Sequence, residues 1–148
     1  MKKIILVLLV SIMLSGKGYL MANESNERVI RDFIVSWSNL NADELVEFFT
    51  DDGVYYNMPM EPVSGKENIR QFIAGFIQPW TKTTWDILSI VSKDDIVIVE
   101  RLDRTLAGEK KVDLPCVGVF EMENGKIKIW RDYFDSNTYS EAMNWGIL

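Results

Sequence analysis

Apolar positions change their rhythm along the chain. In the first half they recur every three or four residues, and in the second they alternate with polar ones. The first rhythm marks amphipathic helices, the second strands with one buried face. From Asn23 to Trp37 the apolar members are Val29, Ile30, Phe33, Ile34 and Trp37, one helical stripe that Asn23 or Ser25 can cap. Asn41 opens a second helix, with Glu44 at capping-box spacing and Leu45, Val46, Phe48 and Phe49 inside it, before Asp51-Asp52-Gly53 ends it. Gly53 to Met58 is rich in Tyr and Val and reads as a short strand stopped by Pro59 and Pro62. Ser64 and Glu67 repeat the capping-box spacing. They precede a helix carrying Ile69, Phe72, Ile73, Phe76 and Ile77 that Pro79 ends.

The second half predicts a meander of four strands: Thr84 to Val91, Ile96 to Leu106, Val112 to Met122 and Lys126 to Phe134. Lys93-Asp94-Asp95 and Ala107-Gly108-Glu109 mark the first two turns, and Asn124-Gly125 is a strong hairpin signal. Pro115 inside the third strand predicts a bulge or an edge position. A short helix from Thr138 to Asn144 closes the chain. Helices followed by an antiparallel sheet define an α+β domain. A long twisted sheet curling around helices leaves a concave pocket for chemistry.

Polar residues interrupt three of these strands. In Trp130-Arg131-Asp132-Tyr133-Phe134, side chains two apart share a face, so Asp132 lies between two aromatic rings. A carboxylate placed there needs partners, since burial without them raises its pKa or destabilises the fold. Arg101 and Asp103 share a face with Val97 and Val99, and Tyr55 shares one with Asn57. Each set taken singly also fits a bland reading. An exposed ion pair accounts for Arg101 and Asp103, a core aromatic beside a turn former for Tyr55 and Asn57, and a carboxylate bonded to backbone for Asp132. Spacing puts each set on one face and says nothing of whether the strands bring them together.

Composition narrows the chemistry. Among 148 residues there is no histidine and one cysteine, Cys116. That removes Ser-His and Cys-His catalysis, any ordinary zinc site and an intramolecular disulfide. A catalyst built from this chain uses carboxylates, Tyr, Lys, Arg or a bound cofactor. The net charge of −6 argues against a nucleic-acid partner, which requires clustered cations. Cys116 reads as a small buried hydrophobe.

Three fragments carry a resemblance: Tyr-x-Asn-Met-Pro at Tyr55 to Pro59, Glu-Arg-x-Asp at Glu100 to Asp103, and Trp-Arg-Asp-Tyr-Phe-Asp at Trp130 to Asp135. In order and spacing they resemble limonene-1,2-epoxide hydrolase, as does Gly118-Val119-Phe120, over Val29 to Trp145. The resemblance implies a cystatin-like or NTF2-like fold, a curved mixed sheet of about six strands with three to four helices enclosing a deep apolar pocket. It implies Asp132 as general base, Asp103 as general acid and Arg101 between them, with Tyr55 and Asn57 holding the attacking water. Val97, Val99, Leu114, Cys116, Trp130 and Phe134 would line the substrate pocket. No metal, cofactor or covalent intermediate is implied. The partners would be water and a small lipophilic epoxide, cyclic or terpene-like, and a second copy of the chain in a homodimer. Leu114-Pro115-Cys116 departs from the aliphatic strand expected in the pocket wall. Two other readings stay open: a proton-transfer enzyme like ketosteroid isomerase or a SnoaL-like polyketide cyclase, and a non-catalytic binder of small ligands.

The N-terminus reads as a signal peptide over residues 1–22, leaving a domain over 23–148. Lys2 and Lys3 precede the apolar run Ile4–Leu14, which is short for a membrane span. The protein is then periplasmic or secreted and has no membrane association after cleavage. Translation from Met21 would instead give a cytoplasmic protein. We predict a mature chain beginning between Tyr19 and Asn23. Mass spectrometry of the N-terminus after fractionation of the native host checks this, and a cytosolic chain starting at Met21 or Ala22 would overturn it.

Overall fold

The computed structural model describes residues 25–144. The predicted signal peptide lies outside the described residues, as does Asn23. Helix α1 covers residues 25–36, so Ser25 is already helical, and a 3₁₀ turn, Trp37–Asn39, follows. Helices α2 (Ala42–Val46), α3 (Lys66–Ile77) and α4 (Ser136–Met143) complete the helical layer. The strands are β1 (Phe49–Asn57), β2 (Val63–Ser64), β3 (Lys82–Lys93), β4 (Ile96–Ala107), β5 (Lys110–Glu123) and β6 (Lys126–Phe134).

Among the described residues these strands form one curved mixed sheet in the order β2-β1-β6-β5-β4-β3. The β3–β6 meander is antiparallel, as its alternation predicts. The β1–β6 pairing is parallel, and hydrophobic rhythm alone cannot reveal it. It sets Tyr55 beside Trp130 and Asn57 beside Asp132.

Local chemistry explains most boundaries. The Asn41 side chain accepts from the backbone N–H groups of Asp43 and Glu44, capping α2 as expected. Glu44 does not close the box; its carboxylate accepts from the Asn39 amide. The helix stops at Val46 and Phe49 begins β1, earlier than the sequence predicts. Phe49 is buried as a strand residue against Phe33, with ring centroids 5.8 Å apart. The N-cap of α3 is Gly65 at φ 86°, in place of the predicted Ser64 box, and Glu67 bonds Arg70 within its own helix. The β5–β6 turn has Asn124 at φ 52° and Gly125 at φ 73°, the doubly left-handed geometry that Asn-Gly favours. Pro115 pairs with Leu102 but lies beyond the last β5–β6 pair, Cys116 with Phe134. There β5 is locally an edge, so the missing N–H on that side costs no ladder bond.

The core sits between the helices and the concave face of the sheet. Along β4, Val97, Val99, Arg101, Asp103 and Thr105 face inward and are buried, while Ile98, Glu100, Arg104 and Leu106 are exposed. Phe33 of α1 is fully buried. Its ring meets Trp130, Phe120 and Trp37 edge-on with centroids 5.2, 6.1 and 6.0 Å away. Such a site cannot collapse around a smaller residue. Phe33→Ala should therefore destabilise the fold by about 3–5 kcal/mol. Urea unfolding checks this, and a loss below about 1 kcal/mol would mean that α1 is not integral to the core.

Candidate active site

Three strands carry the polar set into the concave face. β4 brings Arg101 and Asp103, β6 brings Asp132, and β1 brings Tyr55 and Asn57. Register does the rest: Arg101 pairs with Cys116, Cys116 with Phe134, and Gly118 lies between Val99 and Asp132. All five polar residues are buried, and Arg101 is 0% exposed. The exposed-ion-pair reading of Arg101 and Asp103 is thereby removed.

Arg101 is the hub. Its Nε donates to Asp103 Oδ1 and Oδ2 at 2.9 and 3.1 Å. Its Nη1 and Nη2 donate to Asp132 Oδ1 and Oδ2 at 2.9 and 2.6 Å, a planar fork on a planar carboxylate. The guanidinium carbon lies 4.5 Å from the Trp85 ring centre and 5.6 Å from that of Trp130. A guanidinium tolerates such aromatic contact because it is weakly hydrated and its charge is spread over a plane. Trp130 is in turn stacked on Tyr55 at 4.2 Å, with the planes 7° apart.

One positive charge facing two buried carboxylates leaves an excess negative charge unless a proton is retained. Burial, opposed by Arg101 and aided by the negative charge of Asp132, pushes the Asp103 carboxyl up to about 6. Burial outweighs the rest for Tyr55 too, and with Asp132 nearby keeps its phenol protonated well above the usual range. The Cys116 thiol is likewise pushed up by burial and then by Asp103, so it is no thiolate nucleophile at neutral pH. Burial would lower the Arg101 pKa, but Asp132 and Asp103 more than offset it and hold it cationic.

Asp103, Cys116 and Asp132 offer donor atoms within 4.8 Å of one another, a spacing a metal could use. The Arg101 cation is already engaged by both carboxylates, and a second cation there would meet its repulsion.

Tyr55, Asn57, Asp103 and Asp132 converge on a cavity of about 20 Å³. That is room for about one water. Asn57 Oδ1 is buried with no hydrogen-bond partner among the described residues, and Asn57 is one of the residues that line this cavity. Of the residues expected to line a substrate pocket, Leu114, Cys116 and Phe134 line this cavity. Val97, Val99 and Trp130 do not line it; they are fully buried in the core. Phe76, Trp80, Trp85, Thr105, Val112 and Tyr139 line it without having been anticipated. Phe76 belongs to a helical apolar stripe, which reads as core, and nothing local separates core from wall. Most of the lining residues are apolar or aromatic.

The curved mixed sheet with helices against its concave face is a fold of the NTF2-like class. Residues 24–144 match the family described as the limonene-1,2-epoxide hydrolase catalytic domain. The chain belongs to that family, within the SnoaL-like and NTF2-like superfamily. It is 29% identical over 106 residues to epoxide hydrolase EphG of Mycobacterium tuberculosis, covering 72% of this chain and 70% of that protein. A solved LEH-like epoxide hydrolase of M. tuberculosis superposes with a TM-score of 0.72 at 25% identity, covering 83% of this chain and 92% of the other. A putative SnoaL-like polyketide cyclase from Jannaschia sp. CCS1 reaches 0.74 at 15% identity, covering 84% and 95%, and shares the fold.

Gly118 is a further member of the site. A Cβ there would sit 2.8 Å from Arg101 Nη1 and 2.8 Å from the Phe120 ring. Arg101 cannot swing aside without breaking its bonds to Asp132. Gly118→Ala should therefore cost about 1–3 kcal/mol by overpacking. The cost should shrink in an Arg101→Met background, where one of the two close contacts is gone. Denaturant titration of the four proteins in this cycle checks it, and strict additivity would show that Arg101 and Gly118 do not compete for space.

Proposed function

We propose that the protein is an epoxide hydrolase that adds water to an epoxide in one step, giving a vicinal diol. The observation that carries this reading is the buried Arg101 fork joining Asp103 to Asp132 beside a water-sized cavity edged by Tyr55 and Asn57.

Opening an epoxide in one step needs a nucleophile on carbon while a proton reaches the ring oxygen. Water is a poor nucleophile until a base takes its proton. In the proposed reaction Asp132, as carboxylate, takes that proton. The water oxygen bonds to an epoxide carbon, and the C–O bond breaks. Asp103, as neutral acid, delivers its proton to the oxygen that leaves carbon. The products are the diol, a neutral Asp132 and an ionised Asp103. A proton passing back between the carboxyls, both held by Arg101, resets the site. Tyr55 and Asn57 hold the water so that its lone pair faces carbon, a proximity effect. Raising Asp103 to about 6 suits it to the acid role, because an ordinary Asp would be almost wholly ionised at that pH.

The isomerase-like and cyclase-like alternative also uses an acid or base in an apolar pocket. It gives no reason for a second carboxylate tied to the first by a buried arginine, and the likeness to SnoaL-like structures is one of fold. Two buried carboxylates joined by Arg101 beside a water-sized cavity favour hydrolysis.

Asp132→Asn should abolish diol formation while the fold persists, because the amide keeps an acceptor for Arg101 but takes no proton. Arg101→Lys should lose about 100-fold or more, since a point charge cannot serve both carboxylates as a planar fork does. Near wild-type turnover in either variant would refute the mechanism. The acid must be protonated, so kcat/KM should fall as pH rises through about 6. Loss of activity on going below that value, with none above it, would give the acid role to another group. A single turnover in heavy-oxygen water should label the diol directly, and label retained on Asp132 would indicate an ester intermediate.

A further inference from the structure

Resting on the epoxide-hydrolase reading, we propose that Trp85 is a positioning residue of the site, whose indole seats the Arg101 guanidinium and so fixes both carboxylates for attack and protonation. Register brings the ring there. Trp85 lies directly across from Asp103 in the β3–β4 ladder, and Arg101, two positions back along β4, lies across from Ile87. Such a diagonal is within reach of an aromatic side chain. The guanidinium carbon sits over the ring, 4.5 Å from its centre, where a cation is drawn to the negative face of an indole.

The charged groups need a seat. Arg101 donates four hydrogen bonds to the oxygens of Asp103 and Asp132. These bonds tie the three side chains to one another and leave their common position to the strands and to what lies beside them. Trp85 adds a contact that uses none of the guanidinium N–H groups, so it does not compete with the carboxylates for them.

The seat is itself rigid. The indole stacks on fully buried Trp37 at 4.2 Å with the planes 17° apart. Its Nε1 donates to Thr83 Oγ1 at 3.1 Å. That hydroxyl donates in turn to the Arg104 carbonyl oxygen at 3.2 Å and lies 2.8 Å from Thr105 Oγ1. Arg104 and Thr105 belong to β4, the strand that carries Arg101 and Asp103. The ring is thus anchored to the strand whose charged side chain it supports. Trp130 is farther from the guanidinium, at 5.6 Å, and is stacked on Tyr55 and Phe120.

Varying the charge of the ring at nearly constant shape separates a seat from a wall. Tryptophan bearing one to four fluorines, installed at position 85 alone in the full protein, keeps the Nε1 donor while its negative face weakens. The substrate is whichever of styrene oxide, cyclohexene oxide and limonene oxide wild type opens fastest. Its kcat should fall stepwise with fluorine number, by about tenfold in all, with KM held within about threefold. Trp85→Phe should keep about a tenth or more of the wild-type kcat, and Trp85→Leu should lose about 100-fold. A kcat that is flat across the fluorine series, or Trp85→Leu as active as Trp85→Phe, would overturn the proposal. A change confined to KM would make Trp85 a substrate contact and overturn it as well. Should folded wild type open none of the three epoxides, the hydrolase reading itself fails, and the seat is read from the Tm of the same fluorine series. A stepwise fall in Tm supports the seat, and a flat or rising Tm overturns it.

Discussion

The structure depends on one buried charge. Arg101 is fully buried, and removing a guanidinium from water costs several kcal/mol unless its hydrogen bonds are replaced. Two carboxylates from two strands replace them, and two indole rings lie over its faces. Neither carboxylate could be buried without the arginine, and the arginine could not be buried without them. Breaking such a cluster by deleting one partner typically costs about 3–5 kcal/mol, because the other charge is left unpaired in the interior. Well-packed apolar residues would be at least as stable there. Stability is therefore a poor reason for the cluster's presence, and chemistry a better one.

The same constraint orders the surroundings. Gly118 lacks a side chain where Nη1 passes. Trp130 lies under Tyr55 and beside Phe120, 5.4 Å away, so the floor beneath the polar groups is stacked aromatic surface. The parallel β1–β6 pairing adds Tyr55 and Asn57 at the level of Asp132. Rigid packing below and dry walls above keep the carboxylates poorly solvated, which raises Asp103 and strengthens every interaction inside. The residues of the cluster, Arg101, Asp103 and Asp132, lie within the stretch that matches the family.

Much of this was legible in the residues. The meander, the Asn-Gly turn and the Asn41 cap follow from alternation, turn chemistry and side-chain acceptors, all local. The facing of Arg101 with Asp103 and of Tyr55 with Asn57 follows from a two-residue period. The local rules failed where packing outweighed propensity. Phe49 continues a helical rhythm yet starts a strand, because its ring completes the cluster around Phe33. Ser64 and Glu67 have the spacing of a capping box, but Gly65 takes the left-handed turn into α3.

The sequence by itself determined an α+β chain without histidine, limited to carboxylate, phenol, amine and guanidinium chemistry or a bound cofactor, with three polar sets each on one strand face. Tertiary structure decided that the three faces are one site. The pairing of β1 with β6 joins residues more than seventy positions apart, and no local pattern encodes a parallel partner. Tertiary structure also decided the shape of the cavity. Phe76, Trp80, Trp85 and Tyr139 are spread over α3, a loop, β3 and α4, and each reads singly as core. They become a wall only when the folded chain sets them around the same space, because what a ring encloses depends on its neighbours in space and not on those in sequence.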